Sequence, residues 1–119
     1  MPLVKTFAQA CKHKGLDPKK VLPNVSGMPK EHRKAVIAAA KLFIIVDVLN
    51  DGWVPNWDDR SQEKWWPCFY LNKPGFRIDT VYSDCTRTNV SFRLCFKSKD
   101  IALYAAKNFK QLYRDLMVR

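Results

Sequence analysis

Residues 35–49 are apolar except for Lys41 and Asp47, and no other stretch limits the fold as strongly. Fifteen residues exceed an ordinary strand, and Ala35, Ala38, Ala39 and Ala40 favour a helix over a sheet. A helix apolar nearly all round is enclosed by its own protein or spans a membrane. Crossing a bilayer takes about 20 apolar residues, whereas this run is shorter and holds two ionisable groups. It therefore predicts a buried central helix and no membrane partner. Pro29, following Ser26 and Gly27, marks its start, and Asn50, Asp51 and Gly52 mark its stop. A second copy of the chain would cover such a helix as well as the chain's own segments do, so monomer and homodimer both stay open.

The 119 residues suffice for one domain, 1–119, with a single core. Apolar residues make up 47 % of the chain, which argues against disorder. The net charge is +10, and it is unevenly distributed: residues 1–41 carry +7, residues 42–84 carry −3 and residues 85–119 carry +6. Two basic flanks enclose an acidic middle, and such a surplus favours an anionic partner such as nucleic acid, an acidic protein or a membrane surface, of which the first two are carried forward. Cys11, Cys68, Cys85 and Cys95 form no C-x-x-C pair and have no histidine at zinc-ligand spacing. Free thiols in a reducing compartment are preferred to a disulfide framework. The N-terminal Met-Pro-Leu-Val-Lys-Thr lacks the layout of a secretion signal, which predicts a cytoplasmic protein.

Along the chain, Thr6 can cap a short helix over residues 7–14 that Gly15 ends. A second short helical turn is expected from Asp17 to before Pro23. Together these suggest a helix-turn-helix, but Pro23 and Pro29 would truncate a recognition helix, so two short helices covering the central one are preferred. On the central helix Asp47 lies nearly opposite the stripe of Lys30, Lys34 and Lys41. It is either a desolvated acid or base, or a structural residue that pairs with a nearby Arg or sits partly wet one turn from the helix end.

Trp53, Trp57, Trp65 and Trp66 with Pro55 and Pro67 make residues 52–71 a loop pinned by large rings, leading into a strand. Asp58, Asp59 and Glu63 at its tip would suit a hard cation such as magnesium, but the adjacent Lys64 and the lack of a nuclease-type acid pattern favour a plain solvated tip and no metal. Three antiparallel strands are expected, over residues 65–71, 76–82 and 89–97. A turn at residues 72–75, with Pro74 second and Gly75 third, joins the first two. The third alternates, with Val90, Phe92, Leu94 and Phe96 toward a core and Ser91, Arg93, Cys95 and Lys97 away from it. Ser98 then caps one amphipathic C-terminal helix reaching about residue 117. Its inner stripe is Ile101, Ala102, Ala105, Phe109, Leu112 and Leu116, and Lys99, Lys107, Lys110 and Arg114 gather on the far side. The fold class is α+β: a central buried helix with short N-terminal helices, a three-stranded antiparallel sheet and a C-terminal helix.

The runs Leu49-Asn50-Asp51-Gly52-Trp53-Val54-Pro55-Asn56-Trp57, Lys64-Trp65-Trp66-Pro67, Arg93-Leu94-Cys95-Phe96-Lys97-Ser98 and Ala102-Leu103-Tyr104-Ala105-Ala106-Lys107-Asn108-Phe109 resemble a family of small uncharacterised proteins from gut bacteria and their phages. The resemblance spans residues 42–118 and implies a phage or prophage setting. It brings no activity and no catalytic residue to this chain.

Two functions follow from the residues. The first is non-catalytic nucleic-acid binding, with Lys99, Lys107, Lys110 and Arg114 neutralising phosphates and Arg77, Arg93 and Lys97 beside Trp66 and Tyr70 on the second face of the sheet. The second is a protein-interaction module, a phage structural part or an adaptor or inhibitor of an acidic host protein, suggested by the surplus of Trp, Tyr and Arg. No nucleophile elbow, Cys-His-Asn arrangement, phosphate loop or paired-histidine zinc motif is present, so neither an enzyme nor a cofactor is expected. His13 and His32 lie among lysines and are read as surface residues.

Overall fold

The structure, a computed structural model, describes residues 3–87 and 92–119. The first helix, α1 (Phe7–Lys14), begins where the Thr6 hydroxyl accepts the Gln9 N–H at 3.1 Å, while the Gln9 side chain accepts the Lys5 N–H. Reciprocal bonds of this kind satisfy donors that a helix start leaves open. Gly15, at φ 69°, ends it in the left-handed conformation that only a residue without Cβ adopts freely. Ala10 and Cys11 turn inward. The expected second N-terminal helix is absent: residues 17–21 make only a turn, in which Lys20 and Val21 donate to the Asp17 carbonyl. The Asp17 carboxylate also takes the Lys19 N–H, a local bond that competes with helix growth.

The central helix, α2 (Lys30–Asn50), runs 21 residues and ends at Asp51, whose φ of 50° lets its N–H reach the Asp47 and Val48 carbonyls. Leu42, Ile45 and Leu49 are fully buried, and α2 packs against α1 and against the last helix of the chain. The helix is not enclosed all round, because Phe43 and Asp47 face outward. Asp47 is 68 % exposed and sits 3.6 Å from Lys14, so it is a wet, ion-paired residue and not a desolvated acid.

β1 (Lys64–Tyr70) and β2 (Arg77–Asp84) form a two-stranded antiparallel sheet. Trp66 pairs with Tyr82, Cys68 with Thr80, and Tyr70 with Arg77, with an irregularity between Cys68 and Phe69 that leaves Asp79 as the extra residue. In the connecting turn Gly75 donates to the Asn72 carbonyl, and Pro74 stands third after a cis peptide, not second as expected. Pro67 does not break the ladder. Trp65 uses both its N–H and its C=O on Phe96, away from β2, and Pro67, two residues on, points its missing donor the same way.

The expected third strand is not formed by the described residues. Phe92–Leu94 make a 3-10 turn and Phe96 makes a single bridge to Trp65; residues 89–91 lie outside the described residues. The turn explains the departure from alternation, since Leu94, Cys95 and Phe96 are buried in succession. The C-terminal helix is likewise two helices, α3 (Lys99–Asn108) and α4 (Lys110–Met117). The Ser98 hydroxyl caps α3 as expected. At the break the Asn108 amide donates to the Tyr104 carbonyl at 2.9 Å, and Phe109 leaves helical geometry at φ −121°. A side chain inserted into the carbonyl ladder is a known cause of a helix bend. The helix α3 packs across both strands, and Phe69 bridges sheet to α4, with its ring 4.6 Å from Phe76 and 5.1 Å from Tyr113. Among the described residues the fold is thus α+β, with four helices and a two-stranded sheet.

Candidate nucleic-acid interface

Strand alternation divides the hairpin's side chains cleanly. Pro67 and Val81 are buried on the side facing α3, while Trp66, Cys68 and Tyr70 share the opposite face with Tyr82, Thr80 and Arg77. On that open face Tyr70 is 44 % and Tyr82 is 50 % exposed, and Trp66 is half-buried. The Arg77 guanidinium stacks 4.4 Å over the Tyr70 ring, and donates to the Asn72 and Gly75 carbonyls. Asp79 beside the Tyr70 hydroxyl pushes the Tyr70 pKa up, first through hydrogen bonding and then through its charge. Trp66, Tyr70 and Arg77 therefore stand together as the sequence predicts. Tyr82 joins them; its place in the β2 alternation, opposite Trp66, was the signal that could have found it.

Arg93 and Lys97 do not join this face. Arg93 sits 5.8 Å from the ring of Phe43 on α2, and Lys97 is exposed on the segment before α3. The reason is the 3-10 turn, which replaces the strand that would have carried them beside β1 or β2. Lys99, Lys107, Lys110 and Arg114 are all exposed, but the break at Phe109 divides them between α3 and α4. Lys110 and Arg114 flank a shallow groove with Phe76, the residue before Arg77, which brings this pair to the Tyr70–Arg77 end of the hairpin. Among the described residues the ion pairs engage Lys14, Lys34, Arg87 and Arg119, and none of the seven basic residues assigned to the interface has a carboxylate within 4.0 Å. Arg77 and Asp79 both lie on the open sheet face with opposite charges, while Lys110 and Arg114 belong to α4, which packs through Tyr113 against Phe69 on the core side of the hairpin.

Two buried polar groups support the region. Asn50, at the end of α2, donates to the Cys95 carbonyl at 3.0 Å and accepts the Lys97 N–H at 3.2 Å, which fixes the segment after the 3-10 turn. Lys64 is fully buried without an ion pair among the described residues. Its ammonium donates to the Cys85 and Asp59 carbonyls and lies 5.0 Å from the Trp57 ring centroid, tying the loop at residues 53–63 to the end of the hairpin. At that loop's tip the Asp59 carboxylate accepts the Ser61 N–H and hydroxyl, and those bonds hold its pKa below the usual range. The described residues contain no group of three or more His, Cys, Asp or Glu able to hold a metal ion, and no helix long and apolar enough to cross a membrane. No protein-family model, curated protein or solved structure matches the chain.

Proposed function

We propose that the protein binds single-stranded nucleic acid without catalysis, laying bases on the open face of the hairpin and phosphates along the cations of α4 and α3. The observation that carries this reading is the clustering of Trp66, Tyr70 and Tyr82 with Arg77 on one exposed face. Rings on a solvated sheet otherwise expose apolar area to no benefit, and stacked bases cover it at roughly 1–3 kcal/mol each. Lys110 and Arg114, near the Tyr70–Arg77 end of the hairpin and free of carboxylates among the described residues, supply the counterion-releasing contacts that bind phosphate at any sequence. The phage or prophage setting suggested by the spaced aromatic motifs suits a small basic protein of this kind.

Fluorescence anisotropy with labelled single- and double-stranded DNA and RNA at two salt concentrations tests the proposal. Single strands should bind more tightly than duplexes, with affinity falling steeply as salt rises. Absence of binding to any strand in low salt would overturn it. A second reading, docking on an acidic protein, draws on the exposed Leu71 beside Tyr70 at the hairpin tip. Retention of one host protein after nuclease treatment, with no affinity for oligonucleotides, would favour it.

A further inference from the structure

A cleft of about 330 Å³ lies between the outward face of α2, the loop at residues 53–57 and the 3-10 turn. Val46 and Cys95 form part of its lining, Phe43, Trp53 and Trp57 supply aromatic walls, and Asp47 and Arg93 are its charged residues. The walls are held in advance of any ligand. The buried Lys64 braces the Trp57 ring, the Trp53 N–H donates to the Asn50 carbonyl, and the Asn56 N–H donates to the Gln62 side chain. Asn50 has one donor and one acceptor of its amide engaged, which fixes the orientation of its side chain at the cleft. The volume stands at the small end of ligand pockets, about 300–1,000 Å³, and suits one ring system with a substituent better than a peptide segment.

Charge selects the substituent. Asp47 is matched by Lys14 at 3.6 Å, whereas Arg93 has no carboxylate partner among the described residues. The uncompensated charge at the cleft is therefore a guanidinium, whose planar fork fits phosphate oxygens. We infer that this cleft takes a nucleobase with its phosphate attached, the base against Trp53, Trp57 and Phe43 and the phosphate on Arg93. The chemistry is shared by a free mononucleotide and by an unstacked base of a single strand. The site is separate from the hairpin face and does not depend on it.

The four tryptophan indole N–H signals in an amide correlation spectrum, assigned by single Trp→Phe variants, separate the possibilities. Adenosine 5′-monophosphate should shift the Trp53 and Trp57 signals saturably, adenosine should do so roughly tenfold to a hundredfold more weakly, and inorganic phosphate alone should not. Arg93→Ala, an exposed change whose spectrum reports an intact fold, should bring the nucleotide down to the affinity of the nucleoside. Shifts at Trp53 and Trp57 with an oligonucleotide but not the mononucleotide would assign the same site to a strand. Shifts confined to Trp66 would overturn the cleft and leave the hairpin face standing. No shift at Trp53 or Trp57 with either probe, or an unchanged response in Arg93→Ala, would also overturn it.

Discussion

Tyr113 is 1 % exposed, and its hydroxyl has no hydrogen-bond partner among the described residues, so burial pushes its pKa well up. A buried hydroxyl without a partner costs free energy that the ring alone would not. Tyr113→Phe is expected to leave thermal stability unchanged or raise it by about 1 kcal/mol, as read by denaturant unfolding, whereas Tyr113→Ala should lose about 3–5 kcal/mol through the cavity beside Phe69. Lys64 is the opposite case, a buried donor with two carbonyl partners and an aromatic ring beside its ammonium. Lys64→Ala should cost about 1–3 kcal/mol by stranding the Cys85 and Asp59 carbonyls, and the same unfolding curve measures it. Neither role is legible in sequence, where Lys64 merely follows an acid and Tyr113 falls beside the expected inner stripe. The partners of both come from distant segments. Asp84 adds a pH dependence. The N–H groups of Thr86 and Arg87, then the Arg87 side chain, lower its pKa from 3.8 to about 2. A depressed carboxyl stabilises the fold fully above its unfolded value and loses that contribution as pH falls through the folded one. Asp84→Asn should therefore flatten the acid limb of stability between about pH 4 and pH 2, and a pH series of thermal melts checks it.

At the level of elements, α1 and α2 are readable because their signals are local: Thr6 and Gly15 bracket one, Asp51 and Gly52 end the other. The hairpin is readable for the same reason, two apolar runs around Asn72 and Gly75. The segment from Phe92 to Lys97 is not, since its alternation reads as a strand, whereas Phe92–Leu94 form a 3-10 turn and Leu94, Cys95 and Phe96 are buried in succession. Where α3 gives way to α4 the Asn108 amide bonds the Tyr104 carbonyl and Phe109 leaves helical geometry, in a stretch whose helical period in sequence is otherwise continuous. These departures matter for binding. The triple variant Lys107→Ala, Lys110→Ala, Arg114→Ala should reduce the salt dependence of oligonucleotide affinity while leaving the melting curve in place. The double variant Tyr70→Ala, Tyr82→Ala should lower affinity by about 2–6 kcal/mol at constant salt slope, because it removes stacking and not charge. Equal loss of slope in both variants would mean that rings and cations do not divide the work in this way.

Over the whole molecule, the expected excess of cations survives folding. Pairing with acids occupies four basic residues among those described, and the flanks that are positive in sequence stay positive on the outside. The expectation of a fully wrapped central helix does not survive, and the uncovered Phe43 and Asp47 are what leave room for the cleft. All four cysteines are free thiols. Cys11 and Cys95 are buried and burial raises the pKa of both, while Cys68 is half-exposed with its pKa raised by burial and by Asp79. Alkylation followed by mass spectrometry should therefore label Cys85 first and Cys68 more slowly, with Cys11 and Cys95 reacting only on unfolding.

The proline in β1 has a consequence for how copies of the chain can meet. With Trp65 already bridged to Phe96 and no amide hydrogen at position 67, that margin of the hairpin is a poor template for a further strand. Strand addition on the β1 side would have to displace the Phe96 bridge and forgo a backbone donor at Pro67. Proline in the middle of that margin therefore works against edge-to-edge stacking of hairpins.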